Sequence, residues 1–155
     1  MSRAFVKDQE DQEAFDDLPD RPISPHPNFV TAEGLAHIEA ELARLHQEYA
    51  AAQVSSDRAA LARSARDLRY WTARRASAQL VAPRTDSDEV HFGSTVTLRR
   101  DGGRVQTFRI VGEDEADPAH GTLSHASPLA RALFGKGVGD VVPMGDSEAE
   151  IIAIG

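Results

Sequence analysis

The 155-residue chain has no cysteine. Disulfide staples and thiolate zinc sites are therefore excluded, and packing and hydrogen bonds must hold the fold. Long apolar runs are also missing. No stretch approaches the roughly 18 residues of a bilayer span, and the N-terminus carries acid where a secretory leader has a basic start and an apolar middle, so no membrane association is expected. Positive charge is in deficit, with 25 acids against 17 bases and a net charge of −8. Such a surface repels nucleic acid, because duplex affinity depends on neutralising phosphates; autonomous DNA binding is not expected, and a protein partner fits better. Signatures of catalysis are lacking as well. There is no G-x-S-x-G, Gly135-Lys136-Gly137 lacks the upstream glycine and the Ser/Thr of a phosphate loop, and His26, His37, His46, His91, His120 and His125 form no pair at metal spacing. The acid cluster Glu113, Asp114, Glu115 and Asp117 lacks the alternating Asp/Asn pattern and closing Glu of a calcium loop.

What is present falls into three stretches. Residues 1–30 hold seven acids and three bases, lack apolar periodicity and carry Pro19, Pro22, Pro25 and Pro27, which predicts a flexible, acidic arm. Residues 31–83 hold six acids and seven bases, and residues 84–155 hold twelve acids and seven bases, so only the middle stretch is not acidic.

The middle stretch reads as two helices. Apolar residues at Leu35, Ile38, Leu42, Leu45, Tyr49 and Ala52 follow a 3-4-3-4-3 spacing, which is a heptad seam. Thr31 with Glu33 in the first turn provides a start, although Gly34 stands where a reciprocal capping box needs an acid. Val54-Ser55-Ser56-Asp57 offers a break, with Ser55 or Ser56 capping a second helix and Asp57 in its first turn. Leu61, Leu68 and Trp71 carry the second seam towards Ala78, and Pro83 stops it. Two helices of about 24 residues, each roughly 36 Å long, joined by a short bend, must pack as an antiparallel coiled-coil hairpin. Acid dominates the first helix (Glu33, Glu39, Glu41, Glu48), whereas arginine dominates the second, which bears Arg58, Arg63, Arg66, Arg69, Arg74 and Arg75.

The last stretch predicts a small twisted antiparallel sheet with one short helix, making the whole chain α+β. Val90, Phe92, Val96 and Leu98 alternate with polar or small residues, Asp101-Gly102-Gly103 makes a hairpin turn, and Phe108 and Ile110 begin the return strand. Ser127 caps a helix that has Pro128 at its first position and Gly135 just past its end. Strands at Val141-Val142 and Glu150 to Ile154 complete the sheet.

Four ordered blocks, F-G-S-T-V-T at Phe92 to Thr97, I-V-G-E-D-E-A-D at Ile110 to Asp117, S-P-L-A-R-A-L at Ser127 to Leu133 and G-K-x-V-G-D at Gly135 to Asp140, resemble the C-terminal domain of the bacterial Gre transcription elongation factors, GreA and GreB. Asn28-Phe29-Val30-Thr31 with Gly34 resembles the N-Y-I-T-x-x-G that precedes the first helix of the GreB branch. The resemblance implies an FKBP-like C-terminal domain, a cytoplasmic bacterial protein, and docking on RNA polymerase beside its secondary channel. By the same resemblance Ser127 and Pro128 would grip the rim of the β′ subunit, although the acid that GreB has two residues before the proline is Ala126 here. Glu113, Asp114, Glu115 and Asp117 are the next polymerase contacts implied, and Arg58, Arg63 and Arg66 would face RNA or an acidic channel wall. The fold raises prolyl isomerisation, but Tyr49, Tyr70 and Trp71 all lie in the hairpin, leaving Phe92, Phe108 and Phe134, about what the core itself consumes.

The hairpin departs from the family. Gre tips read close to G-D-x-x-E-N-A-(E/D)-Y, and those acids help hold a second Mg²⁺ in the polymerase active centre, so that the polymerase cleaves its own backtracked transcript. Nothing here matches that tip. Residues 66–75 resemble the GreB stretch that returns down the second helix, which makes the middle of the hairpin a deletion. Ser55, Ser56 and Asp57 form the bend, Asp57 is its lone acid and a weak candidate metal ligand, and Glu48 follows about two turns below. The chain is accordingly expected to be a polymerase-binding factor that is not an enzyme and needs no cofactor. It is read as weak or inactive in transcript cleavage, with Mg²⁺ involved only if Asp57 and Glu48 restore that activity. A third reading is a coiled-coil adaptor that no longer binds polymerase.

Overall fold

A computed structural model describes residues 18–84, 86 and 88–155. It contains two compact units, one of residues 18–25 with His37–Ser77 and one of His26–Ala36 with Ala78–Gly155. The class is α+β, as expected.

The first unit is the helical hairpin. Helix α1 (Ala32–Ser55), which begins in the second unit, and helix α2 (Arg58–Ser77) are joined by Ser56 and Asp57. The edge-to-face pair of His37 with Trp71, at 5.6 Å between centroids, and the Glu39–Arg75 ion pair tie the start of α1 to the end of α2, which makes the helices antiparallel. The seam expected on α1 is the face that is covered. Ile38, Leu45 and Ala52 are buried, and Leu35, Leu42 and Tyr49 half-buried. On α2 the outcome differs, because Leu61 and Leu68 are only half-buried while Ala62, Ser64, Trp71 and Arg74 are buried.

Part of the segment expected to be a flexible arm also lies on α2. Residues 1–17 of it lie outside the described residues, but residues 18–25 lie against α2 and cover part of it. Arg69 donates to the Asp20 carboxylate at 2.5 Å and to the Leu18 carbonyl at 3.2 Å, and Arg21 lies over the Tyr70 ring, 3.9 Å from its centroid. Helix α2 also ends at Ser77, before Pro83, because the chain enters a strand.

The second unit opens with β1 (Phe29–Val30), paired in parallel with β2 (Gln79–Leu80). Its main sheet holds β3 (Thr95–Arg100), β4 (Val105–Val111), β5 (Thr122–Ser124), β6 (Val141–Met144) and β7 (Ser147–Ile154) in the order β5-β4-β3-β7-β6. All neighbours are antiparallel except β4 and β5, which run parallel at one edge. The turn between β3 and β4 falls on Asp101-Gly102-Gly103, with both glycines at positive φ. Helix α3 (Pro128–Leu133) packs on β6. The core is Val90, Val96, Leu98, Phe108, Ile110, Leu123, Ala130, Leu133, Val142, Ala149 and Ile151, each removing apolar area from water at roughly 25 cal/mol per Å². Phe134 packs against this cluster, and Phe92 stacks edge-on with Phe29 and His125, so all three phenylalanines of the stretch serve packing.

Candidate functional site

Three groups of residues carried the functional expectations, and each has a definite setting. At the hairpin bend, Ser56 adopts φ 53°, the left-handed conformation that closes a helix. Asp57 N–H donates to the Ala52 carbonyl at 3.0 Å and Ser56 N–H to the Gln53 carbonyl at 3.3 Å, the paired bonds of a Schellman ending. Asp57 then caps α2 itself. Its carboxylate accepts from Ala60 N–H at 3.1 Å and its carbonyl from Leu61 N–H at 2.9 Å. The expected cap at Ser55 or Ser56 is thereby corrected: Ser55 Oγ donates back to the Ala51 carbonyl at 3.1 Å, and Ser56 is spent on the turn. A two-residue link leaves only the residue after the left-handed one in position to cap.

Below the bend a cleft of about 480 Å³ opens between the helices, lined by Glu48, Asp57, Arg63 and Asp67 among small residues. Glu48 accepts from Arg44 at 2.6 Å, one turn back on its own helix. Arg58 and Arg63 are exposed, and Arg66 donates to Asp67 at 3.2 Å. Within the described residues no group of three or more His, Cys, Asp or Glu side chains is arranged to hold a metal ion.

In the second unit Ser127 caps α3, its Oγ accepting from Ala130 N–H at 3.2 Å, and Pro128 follows at the first helical position, exposed. The acidic loop joins β4 to β5. Glu113 and Asp114 are half-buried there, and Asp117 meets His120 Nδ1 at 2.6 Å. Glu115 is committed to α1. Its carboxylate accepts from Thr31 N–H at 3.2 Å, from Thr31 Oγ1 at 2.6 Å and from Gly112 N–H at 3.2 Å. Thr31 Oγ1 in turn accepts from Gly34 N–H at 3.0 Å. The missing half of the capping box is thus supplied by a residue from a distant loop, and Gly34 leaves room for it, since a Cβ there would stand 2.0 Å from Glu115 Oε2. Beside it, hydrogen bonds from its own backbone and from Thr31, then the nearby Arg109, hold the exposed Glu33 carboxyl below the ordinary carboxylate range. Sequence reasoning missed this cluster because its only sign was an unexplained glycine at the third helical position.

The family profile described as "Transcription elongation factor, GreA/GreB, C-term" matches residues 85–155. Among curated relatives, transcription elongation factor GreB of Neisseria meningitidis serogroup B is 45% identical over 95 residues, covering 57% of this chain and 58% of that one. GreA of Thioalkalivibrio sulfidiphilus is 49% identical over 71 residues, covering 43% of this chain and 45% of that one. The chain therefore matches about half the length of these relatives. Among solved structures, GreA factor homolog 1 of Thermus thermophilus superposes with a TM-score of 0.41 at 21% identity, over 84% of this chain and 99% of that one. The relatives also correct the expectation that the protein is not an enzyme. They are named GreA and GreB, the factors whose resemblance implies stimulated RNA cleavage by RNA polymerase, so a bare exclusion does not stand even though the reaction is not the factor's own. No helix among the described residues is long and apolar enough to cross a membrane. Residues 85–155 of this chain are thus similar to the C-terminal domain of the GreA/GreB transcription elongation factors.

Proposed function

We propose that the protein is a cytoplasmic, RNA polymerase-binding transcription elongation factor that acts at the secondary channel and stimulates transcript cleavage weakly. The similarity of residues 85–155 to the GreA/GreB C-terminal domain carries the polymerase part of this reading. Ser127 and Pro128 are the first contacts to the β′ rim, with Glu113, Asp114 and Asp117 beside them; Glu115 contributes by fixing the loop that bears these acids. The weak cleavage follows from the bend. Helices of 24 and 20 residues reach about 36 and 30 Å, and the single acid at their junction already accepts a backbone hydrogen bond. Mg²⁺ gains most where several charged oxygens converge in octahedral geometry, and one capping carboxylate supplies little of that.

A second reading, full cleavage activity through Asp57 and Glu48, is favoured by one observation: both residues line the same cleft. The discriminating experiment is RNA cleavage in a backtracked complex, preceded by pulldown with core polymerase. Asp57→Asn is the informative variant because asparagine caps a helix as well as aspartate does. Binding with low cleavage in both natural and variant forms supports the proposal. Strong cleavage lost in Asp57→Asn establishes the second reading, and failure to bind polymerase leaves a coiled-coil adaptor.

A further inference from the structure

The two-stranded sheet of the second unit has one covered edge and one open edge. On the covered side β1 lies so close to Gly112 that a Cβ there would stand 2.6 Å from the Phe29 carbonyl. On the other side β2 pairs with β1 alone among the described strands. Gln79 N–H donates to the Asn28 carbonyl at 2.9 Å and Val81 N–H to the Val30 carbonyl at 3.0 Å, so the alternation of a strand turns the N–H and C=O of Leu80 away from β1. Among the described residues those two groups have no hydrogen-bond partner, and Leu80 is 58% exposed. Folded proteins commonly guard an edge with lysine; here a leucine stands on it. The same stretch walls a cavity of about 250 Å³, lined by Leu80, Val81, Ala82 and Pro83 and, across from them, by Glu33 and Arg109, an ion pair of 3.6 Å. That volume is below the roughly 300–1,000 Å³ of a small-molecule site and suits one large apolar side chain. Of the pair, Glu33 is the more open to solvent, 71% against 36%, and its own backbone hydrogen bond, then Thr31 and Arg109, hold its carboxyl in the charged form.

We propose that β2 is a docking edge for an extended segment of a partner protein, which adds as a third strand along Leu80, sets an apolar side chain in the cavity and brings a basic residue to Glu33. Each part of that chemistry answers one observation. Another backbone supplies an acceptor and a donor for Leu80 at strand spacing, the cavity beside it is walled by apolar side chains, and a residue two along a strand falls on the same face as the one in the cavity, where Glu33 waits. A second copy of this chain fits less well, because Gln79 to Pro83 would bring no charged residue to Glu33. Pro83 ends the edge and limits how far a strand can add.

The test uses the full chain without polymerase and a fluorescent, capped peptide Lys-Thr-Phe-Thr-Lys, whose lysines share the phenylalanine face in either strand direction. Two further peptides are N-methylated, one on the phenylalanine and one on the threonine after it. Alternation sets one of these amides against β2 and the other outward, so one form should bind about tenfold weaker and the other like the parent. Loss in both, or in neither, overturns strand addition. Leu80→Pro removes the outward N–H without breaking a bond of the sheet, and should abolish binding at a nearly unchanged melting temperature. The peptide comparison needs no variant, and it decides the case if Leu80→Pro fails to fold. Glu33→Gln should weaken the lysine peptide about twofold to fivefold, and an unchanged affinity overturns the basic occupant. Equal binding by Leu80→Pro and the natural protein, or no binding by the natural protein, overturns the docking edge. A dimer in sedimentation that Leu80→Pro dissolves assigns the edge to a second copy and overturns the proposal as well.

Discussion

Gly34 and Glu115 make opposite demands on one position. Alanine is favoured over glycine inside a helix by about 1 kcal/mol, yet a Cβ at residue 34 would displace the carboxylate that holds Thr31. Hydrogen bonds to a charged group are worth about 1.5–3 kcal/mol, and losing them outweighs the gain in propensity. Gly34→Ala should therefore destabilise the natural protein by about 1 kcal/mol and stabilise a Glu115→Ala background by up to about 1 kcal/mol. Urea unfolding of the four forms of this cycle checks the reversal of sign. Gly112 behaves differently, because a Cβ there would lie 2.6 Å from the backbone carbonyl of Phe29, which cannot swing aside. Gly112→Ala should cost about 1–3 kcal/mol in either background. None of this was legible in the sequence, where Gly34 showed only as a mismatch in a cap and Glu115 as one acid in a run of four.

The bend between the helices sets what can be tested at the level of an element. Ser56 holds a left-handed conformation that costs a side-chain-bearing residue about 1–2 kcal/mol, so Ser56→Gly should raise the unfolding midpoint, worth about 0.5–1 kcal/mol once the freer unfolded glycine is counted. Asp57→Ala should lower stability by about 0.5–2 kcal/mol, and Asp57→Asn should leave it nearly unchanged. Thermal unfolding of the three variants decides the point, and any study of Asp57→Ala in cleavage must separate this loss from lost chemistry. The α1 seam was readable because Ile38, Leu45 and Ala52 repeat at seven residues on one face. On α2 residues 18–25 add a second partner at Asp67, Arg69 and Tyr70, and no heptad records that. The two-residue strands β1 and β2 and the three-residue β5 were also missed, since so few residues carry no alternation. The Gly102-Gly103 turn and the Ser127-Pro128 helix start were plain because glycine, serine and proline have local conformational reasons to stand there.

For the whole molecule, docking and folding should separate. Ser127→Ala with Pro128→Ala removes an exposed helix start whose cap is worth about 0.5–2 kcal/mol, so melting should shift little while polymerase affinity, read by pulldown or interferometry, falls. Unchanged affinity would move the contact towards the acidic loop that Glu115 anchors. The parallel pairing of β1 with β2 has a different consequence. These strands are consecutive apart from the two helices, so the hairpin is the crossover of a parallel pair, with both of its ends fastened by hydrogen bonds from Gln79 to Asn28 and from Val81 to Val30. A crossover closed at its base can change length at its far end. Adding or removing one heptad in each helix shifts the reach by about 10.5 Å while keeping the seam in phase and leaving the strands untouched. Reach is then an adjustable dimension of this architecture, set by counting heptads between two fixed strands.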